Sequence, residues 1–219
     1  MLFSDRPALA FAPMDGVTDA PMRELQGALG SFSFAVSEFL RVSGEPIPPK
    51  VFRRDIPELA HGGLTHSGLP VQIQILGGDP ERMAWSALAA CKAGALGIDI
   101  NFGCPAPTVN RHDGGASLLR HPCRIREIVA EVRSAVPKGI PVSAKLRLGW
   151  DNIHDIEENA AMAAEGPSRT RREDAVAVGL AMAARTVFHG VALGVVGILV
   201  VAPLEARRAA ARGEALPPF

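Results

Sequence analysis

Cys104 lies in the run INFGCPAPTVNRHDGG (100–115), between Gly103 and Pro105, just past an apolar stretch, GALGIDI (94–100), that reads as a buried strand. A thiol held at a strand end, in a loop of Gly, Pro and Asn, is placed to meet a bound molecule as a proton donor or as a nucleophile. The same position also suits a small apolar residue in a turn. Thiols as a class keep their proton at neutral pH, so donation is open to this one. His112 shares the loop but reads as solvated, which argues against a cysteine hydrolase.

Five other polar residues stand where chemistry needs them. Lys145 sits inside the apolar pattern PVSAKLRL (141–148), where an ammonium is costly without a partner. Arg147, two residues on, shares its strand face. Gln72 and Gln74 alternate in VQIQIL (71–76), so both amides share a face among Val and Ile and need partners. Asn101 either meets a ligand or caps the strand end as a turn residue. Gly114 and Gly115 allow a close backbone approach or a tight turn.

The elements that position these residues alternate between strand and helix. Strands are expected at LAFAP (9–13), SFAVSEF (33–39), VQIQIL (71–76), GIDIN (97–101) and PVSAKLRL (141–148). Helices are expected over 18–30, with Thr18 as cap and Gly30 as stop, and over 79–94, with Asp79 as cap, Pro80 at the first position and Gly94 as stop. In a third helix, 123–136, Ile125, Ile128, Val129, Val132 and Val136 share one face. A fourth spans 152–166. Residues 41–68, rich in Pro and Gly, carry no clear pattern. Five strands, mostly followed by helices, imply a parallel sheet. Met14 and Asp15, Glu38, Gln74, Asn101 with Cys104, and Lys145 with Arg147 all fall at strand C-terminal ends. Sharing such residues among consecutive strands favours a (β/α)8-type barrel over an open sheet with one switch point.

Composition sets the bounds. With 219 residues, 47% of them hydrophobic, the chain can bury a sizeable core. Lys+Arg and Asp+Glu are 23 each, so a nucleic-acid partner needs a local basic patch. Three cysteines, Cys91, Cys104 and Cys123, without paired or zinc spacing, argue against a disulfide framework or a metal site. Cys91 and Cys123 read as packing residues. The N-terminal residues do not read as a secretory signal, and the expected location is cytoplasmic.

Four blocks, APMDGVTD (12–19), VQIQILGGDP (71–80), GIDINFGCPAPTVNRHDGGASLL (97–119) and AKLRLGWD (144–151), carry a resemblance. In content and order they are similar to the signature blocks of the tRNA-dihydrouridine synthases, with SEFLRV (37–42) and RLGWD leaning towards the bacterial C-type branch. The resemblance covers residues 8–166. It implies an FMN- and NADPH-dependent barrel enzyme that reduces uridine in the D-loop of tRNA. By the same resemblance Cys104 is the proton donor to C5 of the uracil. Lys145 reaches the flavin near N1 and O2, Gln74 contacts the flavin ring, and Pro13 and Met14 meet its edge. Asn101 and Arg147 lie towards the substrate, Arg147 near flavin or RNA phosphate. No metal is implied.

Beyond 166 the pattern stops. The family's flavin-contacting histidine, its Gly-rich phosphate loops and its C-terminal helical domain are not found. The expected organisation is a partial barrel of about five βα units, 1–166, then a divergent tail, 167–219, in a C-terminally truncated chain. The tail holds a charged linker, PSRTRRED (167–174), and an apolar stretch, 175–202, with one Arg, at 185. That stretch is expected to be helical and is a candidate membrane span, making membrane association the alternative location. A second copy completing the barrel is a further expected partner. Other functional readings are a fragment without turnover, and a flavin barrel oxidoreductase acting on a free pyrimidine.

Overall fold

VQIQIL forms the central strand of the sheet, and all six of its residues are buried. The computed structural model describes residues 8–111, 114–165, 176–180 and 198–201. In chain order the elements are β1 (Ala8–Phe11), α1 (Ala20–Leu29), β2 (Phe34–Val36), β3 (Leu40–Arg41), α2 (Pro49–Asp55), β4 (Val71–Leu76) and α3 (Pro80–Ala93). They continue with β5 (Ile98–Phe102), α4 (Pro107–Asn110), α5 (Pro122–Ala135), β6 (Val142–Leu146), α6 (Ile156–Glu165), β7 (Val176–Leu180) and β8 (Ile198–Val201).

β1, β2, β4, β5 and β6 lie side by side and all run parallel, each followed by a helix: a half-barrel of the (β/α)8 type. The short β3 pairs with β4 off this path. β7 adds in parallel to β6, and β8 adds antiparallel to β1, a departure from an all-parallel barrel.

Strand alternation sorts the side chains. Ile73 and Ile75, Ile98, Ile100 and Phe102, and Val142, Ala144 and Leu146 face outward into one core with α3 and α5. Each is wholly or almost wholly removed from water, so this layer supplies most of the burial that holds sheet to helices. All five residues expected on one face of the third helix are buried there. The opposite face of the same strands carries Gln72, Gln74, Asp99, Asn101, Ser143 and Lys145.

Helix ends follow local chemistry. Asp79 caps α3 by accepting from the Arg82 N–H at 2.9 Å, and Gly94 ends it in the left-handed region, φ 111°. In α1 the cap is Asp19, which accepts from the Met22 N–H, and not Thr18. The Thr18 hydroxyl instead accepts from the Met14 N–H at 2.8 Å and closes the turn after β1.

Two stretches differ from expectation. The unassigned segment 41–68 holds α2 and a 3-10 turn, Pro57–His61, anchored by the buried Phe52, Ile56 and Leu59. The apolar stretch 175–202 is expected to be helical, but its described parts, 176–180 and 198–201, are strands; the rest lies outside the described residues. VAVGL and ILVV are short and rich in β-branched residues, a composition that favours strands. Among the described residues no helix is long and apolar enough to cross a membrane.

Candidate active site

Parallel pairing places the C-terminal ends of β4, β5 and β6 at one rim. Register sets Gln74 beside Asp99, Asp99 beside Ser143, and Asn101 beside Lys145. The polar residues of the inner face therefore meet one another.

Gln74 Nε2 donates to Asp99 Oδ2 at 2.6 Å, and Ser143 Oγ donates to Asp99 Oδ1 at 2.5 Å. Asn101 Nδ2 donates to Gln74 Oε1 at 2.8 Å. Asn101 Oδ1 then accepts from the backbone N–H of Gly103 at 2.8 Å and of Cys104 at 3.0 Å. Gln74, Asp99, Asn101 and Ser143 are all buried, and Cys104 is partly exposed where this chain meets the rim. Asn101 thus caps the strand end, and does so at the rim that carries Cys104.

The turn bearing Cys104 is packed from below. Gly115 has φ 61°, and a Cβ there would come within 2.7 Å of the Cys104 carbonyl oxygen and 3.2 Å of its Cβ. The Ala116 N–H donates to that carbonyl at 2.9 Å. The close approach that Gly115 permits is to Cys104 itself.

Lys145 and Arg147 flank the same turn. A Cβ on Gly103 would lie 3.4 Å from Arg147 Cγ and 3.7 Å from Lys145 Nζ. Burial pushes the Lys145 ammonium down from its ordinary value; the charge of Asp99 opposes this and that of Arg147 adds to it. Burial pushes the Asp99 carboxyl up, while Ser143, Gln74 and Lys145 each pull it back part of the way.

Pro13 and Met14 stand apart from this group. They follow β1, two strands round from β4, and no hydrogen bond among the described residues joins them to the Gln74–Cys104 network. Their turn is held by Thr18 and by Glu38, whose Oε1 accepts from the Gly16 N–H at 2.6 Å. Gln72, whose amide needs a partner, finds none for its buried Nε2 among the described residues. Cys91 packs half-buried against the core, as a packing residue does, whereas Cys123 is exposed. His112 lies outside the described residues.

Beside the Cys104 loop opens a cleft of about 1340 Å³, walled by Arg41, Arg82, Arg111, Gly114 and His121 among others. Arg41 is tied to the loop through Nη2, which donates to the Thr108 carbonyl at 3.1 Å. Neither Cys104 nor Lys145 lines this cleft, so it adjoins the rim and does not contain it.

Sequence reasoning missed Asp99 and Ser143. Asp99 had a readable signal: an acid two residues before Asn101, on the same face of an apolar strand.

Residues 10–167 match the family model described as Dihydrouridine synthase (Dus), a stretch that contains every candidate site residue. The chain is 51% identical over 146 residues to a tRNA-dihydrouridine(16) synthase of Vibrio vulnificus, covering 67% of this chain and 46% of that protein. It is 50% identical over 146 residues to a protein of the same name from Vibrio cholerae, covering 67% and 45%. With one from Ralstonia nicotianae it shares 44% over 182 residues, covering 83% and 53%. The chain spans about half the length of the curated relatives it matches.

Proposed function

Because the chain belongs to the dihydrouridine synthase family, we propose that it reduces uridine in tRNA to dihydrouridine, with FMN as cofactor and NADPH as reductant. The observation that carries this is the turn at Cys104, pinned by Asn101 and flanked by Lys145 and Arg147 at the rim of parallel strands.

The donor set suits a flavin. Lys145 is desolvated, and its Nζ makes no hydrogen bond or ion pair with a described residue. An ammonium short of acceptors matches an acceptor-rich ring that gathers negative charge. Lys145 would hold that ring near N1 and O2. The backbone of Pro13 and Met14 would meet its edge, and Gln74, buried beneath the rim, would support the ring's site through its bonds to Asp99 and Asn101. The chemistry FMN supplies when bound is delivery of a hydride to C6 of the uracil.

The rest falls to the chain's own residues. Cys104 holds the proton that goes to C5, completing addition of two hydrogens across the C5–C6 bond; the thiolate regains a proton from solvent. Asn101 fixes the turn so that the thiol keeps its direction. Arg147 and the arginines of the neighbouring cleft face phosphates of the tRNA backbone. Residues 1–166 form the flavin-binding unit, and the location is cytoplasmic.

The test is to incubate the chain with FMN, NADPH and unmodified tRNA and to measure dihydrouridine by nucleoside mass spectrometry. Dihydrouridine is expected; its absence when FMN is bound stoichiometrically overturns the reading.

A further inference from the structure

The interior hydrogen bonds of β4 and β5 run in one direction. Asp99 accepts at both of its carboxyl oxygens. Ser143 Oγ and Gln74 Nε2 both donate to it, at 2.5 and 2.6 Å. The Gln74 amide is thereby forced to turn its NH2 towards Asp99 and its Oε1 away. Asn101 Nδ2 donates to that Oε1 at 2.8 Å. Asn101 must then present Oδ1 on its far side, where the N–H groups of Gly103 and Cys104 donate at 2.8 and 3.0 Å. Gln74, Asp99 and Asn101 are 0%, 3% and 6% exposed, so water does not replace a lost partner.

We propose that Asp99 is a positioning residue: through Gln74 and Asn101 it dictates the direction of two amides and so holds the turn that carries Cys104. What that turn does for catalysis rests on the function proposed above. The relay itself is read without flavin or tRNA, so its failure is distinguishable from failure of that function.

The direction of the relay can be reversed. Asn101→Asp leaves acceptors for the Gly103 and Cys104 N–H groups but puts a carboxylate at both ends of Gln74. The Gln74 NH2 faces only one of them, and oxygen meets oxygen at the other joint. Adding Asp99→Asn repairs this. The new amide donates to Gln74 Oε1, Gln74 donates to the carboxylate now at position 101, and Ser143 donates as before. Every joint is again satisfied, with the polarity inverted.

The test uses the full chain without ligands, with thermal melting and NMR hydrogen exchange at the Gly103 and Cys104 amides as readouts. Asn101→Asp alone is expected to lower Tm by about 5 °C or more. It is expected to speed exchange at the two amides about 10-fold. The double variant regains at least half of both losses. If Asn101→Asp does not fold, a folded double variant is the rescue. A double variant no better than Asn101→Asp overturns the proposal. Asp99→Asn alone folds, because Ser143 can accept as well as donate, but it no longer imposes a direction. Its Gly103 and Cys104 amides exchange about 3-fold faster or more. Unchanged exchange there also overturns the proposal.

Discussion

Arg23 and Glu58 form a two-pronged ion pair, at 2.7 and 2.9 Å, with side chains only 2% and 5% exposed. The third arm of the guanidinium, Nη1, donates to the Thr18 carbonyl at 2.6 Å, and the Thr18 hydroxyl closes the turn at Met14. A buried pair thus braces the loop assigned to the flavin edge. Removing one partner strands the other charge away from water. Glu58→Gln is expected to cost about 3–5 kcal/mol in urea unfolding. Replacing both residues by apolar ones of similar volume should cost much less. Equal losses would place the energy elsewhere.

Lys145→Met should weaken FMN binding about 10- to 100-fold, the loss of a charge-assisted hydrogen bond. Flavin fluorescence quenching measures it. The pH dependence has a defined sign. Burial holds the Lys145 ammonium below its ordinary 10.5, so FMN affinity declines as pH rises through that lowered value, before 10.5 is reached. Lys145→Met should lack this decline.

Gln72→Leu is expected to stabilise the fold by about 1 kcal/mol, because the buried Nε2 has no partner among the described residues to lose. Urea denaturation in the absence of flavin reads the change. Destabilisation of similar size would mean that the amide is held after all.

Cys91 gives a second pH signature. Burial pushes its thiol up to about 11 from an ordinary value near 9. The folded state then binds the proton more tightly than the unfolded one. The stability this confers is complete below pH 9 and is lost as pH rises towards 11. Cys91→Ala should remove that slope. At pH 8, iodoacetamide mapping should find Cys91 the slowest of the three cysteines.

Much of the fold was legible because its signals are local. VQIQIL alternates with period two, Asp79 and Gly94 bracket α3, and the stripe from Ile125 to Val136 lies on one helix face. What escaped is non-local. Thr18 and Asp19 are adjacent and both suit a cap; a hydrogen bond from Met14 takes Thr18 out of that role. The segment 41–68 is organised by packing of Phe52, Ile56 and Leu59 into the core, not by its own periodicity. Cys104, Asn101, Lys145 and Gln74 could be named from strand ends and faces. Their arrangement depends on Asp99 and Ser143, which become neighbours only through pairing of β5 with β6.

The central claim is that Cys104 supplies the proton that completes uridine reduction. The most direct measurement is single-turnover formation of dihydrouridine by the FMN-loaded, NADPH-reduced chain on unmodified tRNA, compared with Cys104→Ala at equal FMN occupancy. The account predicts a rate about 10²- to 10⁴-fold lower in the variant, the usual worth of a positioned general acid. Equal rates would contradict it.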